Sequence, residues 1–223
     1  MAAFDLEEQE QISEIKTWWR MYGNLVTSVV AAVALAAAGW QGWNWYQRNQ
    51  ATEAAAIYAA VQKAASERDA RRAREASGEL TEKYSGTSYA AMAALTSARL
   101  QFDAGDLKTA KLQLQWVAER ASDAELRDLA RLRLAHLLFD EKELDEALKL
   151  ISAEPVAAFA PRFAELKGDL LLAQGKTAEA GAAYAAALAK LDVAQKSSVP
   201  ASGREMSYRD LLQIKLDALG ENK

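Results

Sequence analysis

Few residues in this chain could do covalent or metal chemistry, and their surroundings argue against it. His136 is the only histidine and there is no cysteine, so the usual tetrahedral Cys/His zinc sets cannot be assembled. His136 lies among Leu132, Leu134, Leu137 and Leu138. No serine or acid is placed around it as a nucleophile, base and orienting group, which reads as a packed or groove-lining histidine. Gly175-Lys176-Thr177 copies the tail of a phosphate-binding loop, but the glycine required five residues earlier is Leu170, and the context is helix–turn–helix rather than strand–loop–helix. Asp140 and Glu141 are adjacent at a turn and read as solvated. Arg68, Arg71, Arg72 and Arg74 are interleaved with Glu67, Asp69, Glu75 and Glu79. That pattern gives local ion pairs on a solvated face; a nucleic-acid site needs a sustained basic face with stacking aromatics. The sequence therefore predicts no enzyme, no metal, no cofactor and no nucleic-acid partner.

What the residues do specify is placement in a membrane. Between Arg20 and Arg48 there is no charged side chain, and the centre is Leu, Val, Ala and Gly with Thr27 and Ser28. About 20 apolar residues at ~1.5 Å rise cross ~30 Å of hydrocarbon. Trp18, Trp19 and Tyr22 precede the apolar centre and Trp40, Trp43, Trp45 and Tyr46 follow it. Tyr and Trp favour the bilayer interface, where the ring is apolar and the polar tip stays wet. These seven residues are the expected membrane-interface set. A cleaved signal peptide opens with a basic region, whereas Asp5, Glu7, Glu8, Glu10 and Glu14 here outnumber Lys16 and Arg20, which favours an uncleaved anchor. Lys16 and Arg20 against Arg48 alone favour a cytoplasmic N-terminus by the positive-inside rule. Leu6, Ile12 and Ile15 with Trp18 and Trp19 form an approximate helical stripe, so the arm over 1–24 can be an amphipathic helix.

The rest of the 223-residue chain is long enough for one domain with its own core. Only three of the 27 basic and five of the 31 acidic residues lie before residue 51, so this domain is close to neutral and carries no polybasic lipid anchor. Proline is rare and alanine abundant, a helical composition. From residue 88 the chain repeats itself. Hinges fall at 104–107, 141–144 and 174–177; Ala98, Ala135 and Gly168 precede them, and Ala110, Ala147 and Ala180 follow. Paired small residues let two antiparallel helices approach closely. A helix–turn–helix unit recurring near every 34 residues is the tetratricopeptide (TPR) signature. Pro155 and Pro161 bracket the linker between the second and third copies.

The expected fold class is all-α: an N-terminal single transmembrane helix, then a TPR-like α-solenoid of antiparallel helix pairs with a C-terminal capping helix. The expected segments are a cytoplasmic arm over 1–24, a transmembrane signal-anchor helix over 25–46, repeats over 51–196, a loop over 197–205 and the capping helix over 206–220. A repeat array needs such a cap over its last apolar face.

These residues resemble a known family. Asp5-Leu6-Glu7-Glu8-Gln9-Glu10-Gln11, Trp18-Trp19, Tyr22-Gly23-Asn24 and Gly39-Trp40-Gln41-Gly42-Trp43 are similar to the N-terminal region of YfgM-type ancillary subunits of the bacterial SecYEG translocon. Gln115-Trp116-Val117 and the run from Leu126 to Arg133 fit the family's repeats. The resemblance implies a single-pass inner-membrane protein with a cytoplasmic N-terminus and a periplasmic TPR-like domain. It further implies association with SecYEG and with a PpiD-like periplasmic chaperone, and a role in passing newly secreted polypeptides to periplasmic folding factors.

Taking the small residue as the eighth of each repeat, positions 2, 9 and 12 should line a concave surface. They are Met92, Arg99 and Phe102, then Leu129, His136 and Phe139, then Arg162, Asp169 and Leu172. Apolar and flexible side chains there suit unfolded or nascent secreted polypeptides. Two readings stay open at this point: a client-binding module at the translocon, and a scaffold that assembles envelope or cell-division complexes without touching clients. Phe102 and Phe139 could equally be core between repeats.

Overall fold

The computed structural model describes residues 3–196 and 203–220, with side chains over 16–193 and 208–220. All regular structure among them is helical: α1 (Ala3–Ser66), α2 (Ala70–Lys83), α3 (Ser88–Asp103), α4 (Leu107–Arg120), α5 (Ala124–Asp140), α6 (Leu144–Leu150), α7 (Ala160–Ala173), α8 (Thr177–Lys196) and α9 (Gly203–Gly220). The all-α class of the sequence reading is confirmed. The chain divides into two compact units, Met1–Gln50 and Ala51–Lys223.

In the first unit, α1 is the one helix among the described residues long and apolar enough to cross a membrane. The seven aromatic residues that flank its apolar centre, Trp18, Trp19, Tyr22, Trp40, Trp43, Trp45 and Tyr46, are all exposed, from Tyr22 at 49% to Trp45 at 69%. The two hydroxyls are satisfied within the helix. Thr27 donates to the Gly23 carbonyl at 2.8 Å and Ser28 to the Asn24 carbonyl at 2.8 Å, so neither would carry a free donor into hydrocarbon. The apolar stripe at Leu6, Ile12 and Ile15 lies outside the described side chains, and most of the expected 197–205 loop lies outside the described residues. α9 begins at Gly203, three residues before the expected start of the cap.

The second unit is built of helix pairs. At each hinge one residue takes the left-handed conformation: Gly105 at φ 82°, Lys142 at φ 67° and Gly175 at φ 77°. Each closes the same C-terminal cap. The Gly105 and Asp106 amides donate to the Phe102 and Gln101 carbonyls, Lys142 and Glu143 to Phe139 and Leu138, and Gly175 and Lys176 to Leu172 and Leu171. These are the paired bonds of a Schellman motif. Asp106 then caps α4 through the Thr109 amide at 3.1 Å.

A fourth hinge was not read from the sequence. Arg68 is also left-handed, at φ 56°, and the Arg68 and Asp69 amides donate to the Ala65 and Ala64 carbonyls. Residues 51–66 of α1 and α2 are therefore a helix pair like the others. Val61 and Ala73 stand where Ala98 and Ala110 stand in the next pair, and both are fully buried.

The main core joins α3 to α7 through Ala98, Ala110, Leu114, Ala135, Phe163 and Leu170. Ala54, Val61, Leu80, Ala90 and Ala93 form the core of the first pair and its neighbour. The linker after the short α6 is held by Asp128, which is only 3% exposed. Its carboxylate accepts the Val156 amide at 2.7 Å and an Arg131 guanidinium N–H at 3.1 Å. Pro161 belongs to the first turn of α7 rather than to the linker, a position where the missing N–H costs nothing. α9 closes the array: fully buried Leu212 packs with Ala187 and Leu191, and Leu216 and Leu219 pack with Ala180 and Tyr184.

Gly168 shows how tight the pairing is. A Cβ there would lie 2.4 Å from Cε1 of Tyr184, whose ring is 1% exposed and tied by its hydroxyl to Asp169 at 2.7 Å. Gly168→Ala should destabilise the repeat unit by about 2 kcal/mol. Lys142→Gly should stabilise it by about 1 kcal/mol, because glycine takes the left-handed conformation without steric cost. Urea unfolding of the detergent-solubilised chain, followed by helical circular dichroism, checks both directions.

Candidate functional site

The structure gathers most of the expected groove residues from α3 and α5. A hollow of about 840 Å³ is lined by Tyr58, Met92, Leu95, Arg99, Leu129 and Arg133, among others. Beside it a slot of about 360 Å³ is lined by Arg99, Phe102, Leu114, Arg133, His136 and Leu137. Arg99 and Arg133 line both, so the two form one groove. Within it Phe102 is 47% exposed, and His136 is exposed. Among the described residues no group of three or more His, Cys, Asp or Glu side chains could hold a metal ion, and His136 shares its slot with Phe102, Arg99, Arg133 and Asp140.

The other expected residues lie elsewhere. Phe139 packs against the main core, with the Lys142 ammonium 5.7 Å from its ring centre. Leu172 is 41% exposed and lines neither hollow. Arg162 and Asp169 are engaged by α9. The Arg162 guanidinium stacks 4.6 Å from the Tyr208 ring centre. Lys215 donates to both Asp169 carboxylate oxygens at 2.8 and 2.9 Å and to Glu165 at 2.8 Å. The Tyr208 hydroxyl donates to Glu165 at 2.9 Å, and Arg209 pairs with Asp192. In the last repeat two of the three expected groove positions, Arg162 and Asp169, are thus spent on holding the cap.

Sequence reasoning missed Tyr58 and Arg133 as groove residues. Arg68 precedes Gly105 by the interval that separates Gly105 from Lys142, but counting from Val61 gives Ala55, Gln62 and Ala65 as positions 2, 9 and 12, so hinge spacing would not have found Tyr58. Arg133 falls off positions 2, 9 and 12, on the shoulder of α5.

The electrostatics of the cap have a consistent sign. Burial pushes the Tyr184 and Tyr208 pKa values up, reinforced by Asp169 and Glu165. Burial alone would lower that of Lys215, but its hydrogen bonds to Asp169 and Glu165 outweigh this and raise it.

These features define a class: a TPR-like helical-repeat protein carrying an N-terminal apolar helix. The family model for the tetratricopeptide repeat-like domain matches residues 16–221. The chain belongs to the family of ancillary SecYEG translocon subunits, as its N-terminal motifs suggest. The relative of that description from Neisseria gonorrhoeae is 34% identical over 97% of this chain and 99% of its own length. The one from Haemophilus influenzae is 26% identical over 78% and 84%, and the one from Escherichia coli K12 is 34% identical over 47% and 50%. No solved structure is a significant match. The family is one of protein-interaction modules and not of enzymes.

The cap's pH dependence follows from the raised values. A tyrosine or lysine whose pKa rises on folding stabilises the fold below its unfolded value and loses that contribution as pH climbs to the folded value. The ordinary values are 10.0 and 10.5. Amide-exchange protection of α9, corrected for intrinsic rates, should be unchanged between about pH 7 and about pH 9 and fall above about pH 10. Lys215→Ala should lower it already at neutral pH.

Proposed function

We propose that this chain is an inner-membrane-anchored, TPR-like binding module that associates with the Sec translocon. In this reading α1 crosses the membrane over about residues 25–46 with its aromatic residues at the two interfaces. The N-terminus faces the cytoplasm and the repeats face the periplasm. There the module takes up segments of newly secreted polypeptides and passes them to a PpiD-like periplasmic chaperone. The observation that carries it is the match, over almost the whole length of both chains, to a relative described as an ancillary SecYEG translocon subunit. The open groove on α3 and α5 supports the client-binding part. It presents Phe102, Met92 and Leu129 where an irregular apolar segment could bury them, at ~25 cal/mol per Å² of apolar surface.

The test is site-specific photo-crosslinking in intact membranes, from Ala38 in α1 and from Phe102 in the groove, with adducts identified by mass spectrometry. Translocon subunits should crosslink to Ala38, and nascent secreted chains or a periplasmic chaperone to Phe102. A fixed partner unrelated to secretion, with no translocon adduct, would replace this reading with an envelope or cell-division scaffold. With the crosslinker moved to His136 in the same slot, Phe102→Ser should reduce client adducts several-fold with helical content unchanged, because the Phe102 ring is half-exposed and outside the close-packed core.

A further inference from the structure

The groove contains a charge that the fold leaves unused. On α5, Arg127 donates to the Ala121 and Ser122 carbonyls at 2.7 and 3.0 Å, and Arg131 pairs with buried Asp128. Arg133, on the same helix, has no hydrogen-bond or ion-pair partner among the described residues. It lines both the hollow and the slot. Although Arg133 retains exposed surface, the groove walls desolvate its guanidinium, and Arg99 stands near it; both effects hold its pKa below the ordinary arginine value. A guanidinium kept beside a like charge and against apolar walls lacks the carboxylate its five donors would favour. Next to it the slot is apolar, with Ala98, Leu114, Leu137 and the exposed ring of Phe102.

The groove's acids limit what fits. Asp103 and Asp140 close α3 and α5 and also line it. Asp103 is 3.8 Å from Arg99, with both side chains largely exposed, so that pair is weak. These carboxylates repel a run of acids but leave room for an isolated one at Arg133.

We propose that the α3–α5 groove selects peptide segments in which a single acidic side chain neighbours a large apolar one: the carboxylate bridges Arg99 and Arg133 while the apolar side chain enters the slot against Phe102. This deepens the client-binding reading above, naming the class of segment. Charge complementarity assigns the occupant. The chain carries a net charge of −4, yet this groove concentrates Arg68, Arg99 and Arg133.

The full chain in lipid nanodiscs would be titrated into short fluorescein-labelled peptides, all amidated at the C-terminus, and anisotropy recorded. One peptide carries Glu beside Leu and Phe, a second replaces Glu by Gln, and a third keeps Glu but replaces Leu and Phe by Ser. The Glu–apolar peptide should bind at least about tenfold tighter than the Gln peptide, as a charge-assisted hydrogen bond implies, and tighter than the Ser peptide. Arg133→Gln should erase the Glu preference, Arg133→Lys should keep part of it, and Phe102→Ala should weaken both apolar peptides. Equal binding of the Glu and Gln peptides, or a preference that survives Arg133→Gln, would overturn the inference while leaving client capture intact. No binding of any peptide would overturn both. Self-association of the chain that disappears in Arg133→Gln would give the groove to a second copy and would equally overturn it.

Discussion

The solenoid depends on helices approaching each other more closely than ordinary side chains permit. Ala73, Ala110, Ala147 and Ala180, each five residues past its hinge residue, are fully buried. Opposite sit Ala98, Ala135 and Gly168 on the preceding helices, all buried. At Gly168 the space where a methyl would stand is filled by the Tyr184 ring. Interiors packed at crystalline density tolerate neither extra nor missing atoms at such a contact. The left-handed hinge residue serves the same end, because it reverses the chain within a few residues while satisfying the last carbonyls of the first helix. Where that residue is Arg68 or Lys142, the fold accepts backbone strain to keep the pair closed.

Closing each pair along one face leaves another face free, and the groove lies there. Met92, Arg99 and Phe102 recur along α3 at intervals of seven and three, which keeps them in one stripe. That stripe runs beside the Ala98 contact and faces the groove, whose slot Ala98 also lines. The two ends of the array treat the groove differently. At the first pair Tyr58 and Arg68 extend it. At the last repeat α9 brings Lys215 and Tyr208 onto Glu165 and Asp169, so polar side chains that would line an open surface become a half-buried network. Such a network holds only while its members stay together, since a carboxylate left there without Lys215 would be poorly solvated.

How much of this was legible follows from the kind of signal each feature leaves. The apolar span and its aromatic flanks are compositional, and one helix answers to them. The last three pairs were legible because hinge and small residues recur at near-constant spacing. The first pair lies within the expected repeats over 51–196, but its hinge was not legible, because Val61 and Arg68 replace the small residue and the glycine that mark the pattern; tertiary packing around Ala54 and Leu80 makes up for both. The groove was legible in part. Position counting finds Met92, Arg99, Phe102, Leu129 and His136. It cannot know that Phe139 turns into the core, that α9 folds over Arg162 and Asp169, or that Arg133 on the shoulder of α5 ends without a partner. Those outcomes depend on which neighbouring helix arrives, and intervals within a single helix do not carry that information.

The apolar helix and the groove also bear on each other through concentration. A groove of this kind, open and lined by a few mostly exposed charges, gains little free energy once the ordering of a flexible segment is subtracted. Weak capture is nonetheless useful if the module is tethered near the source of its clients. A tether converts encounter into a local event at an effective concentration that can reach the millimolar range, at which even a dissociation constant of that order gives substantial occupancy. A tight groove would be a disadvantage there, because a segment bound for long could not be passed on. On the proposed function, the small hinge-built scaffold, the unpaired Arg133 and the apolar N-terminal helix are therefore mutually consistent: each suits a module that holds a segment briefly, close to where it emerges.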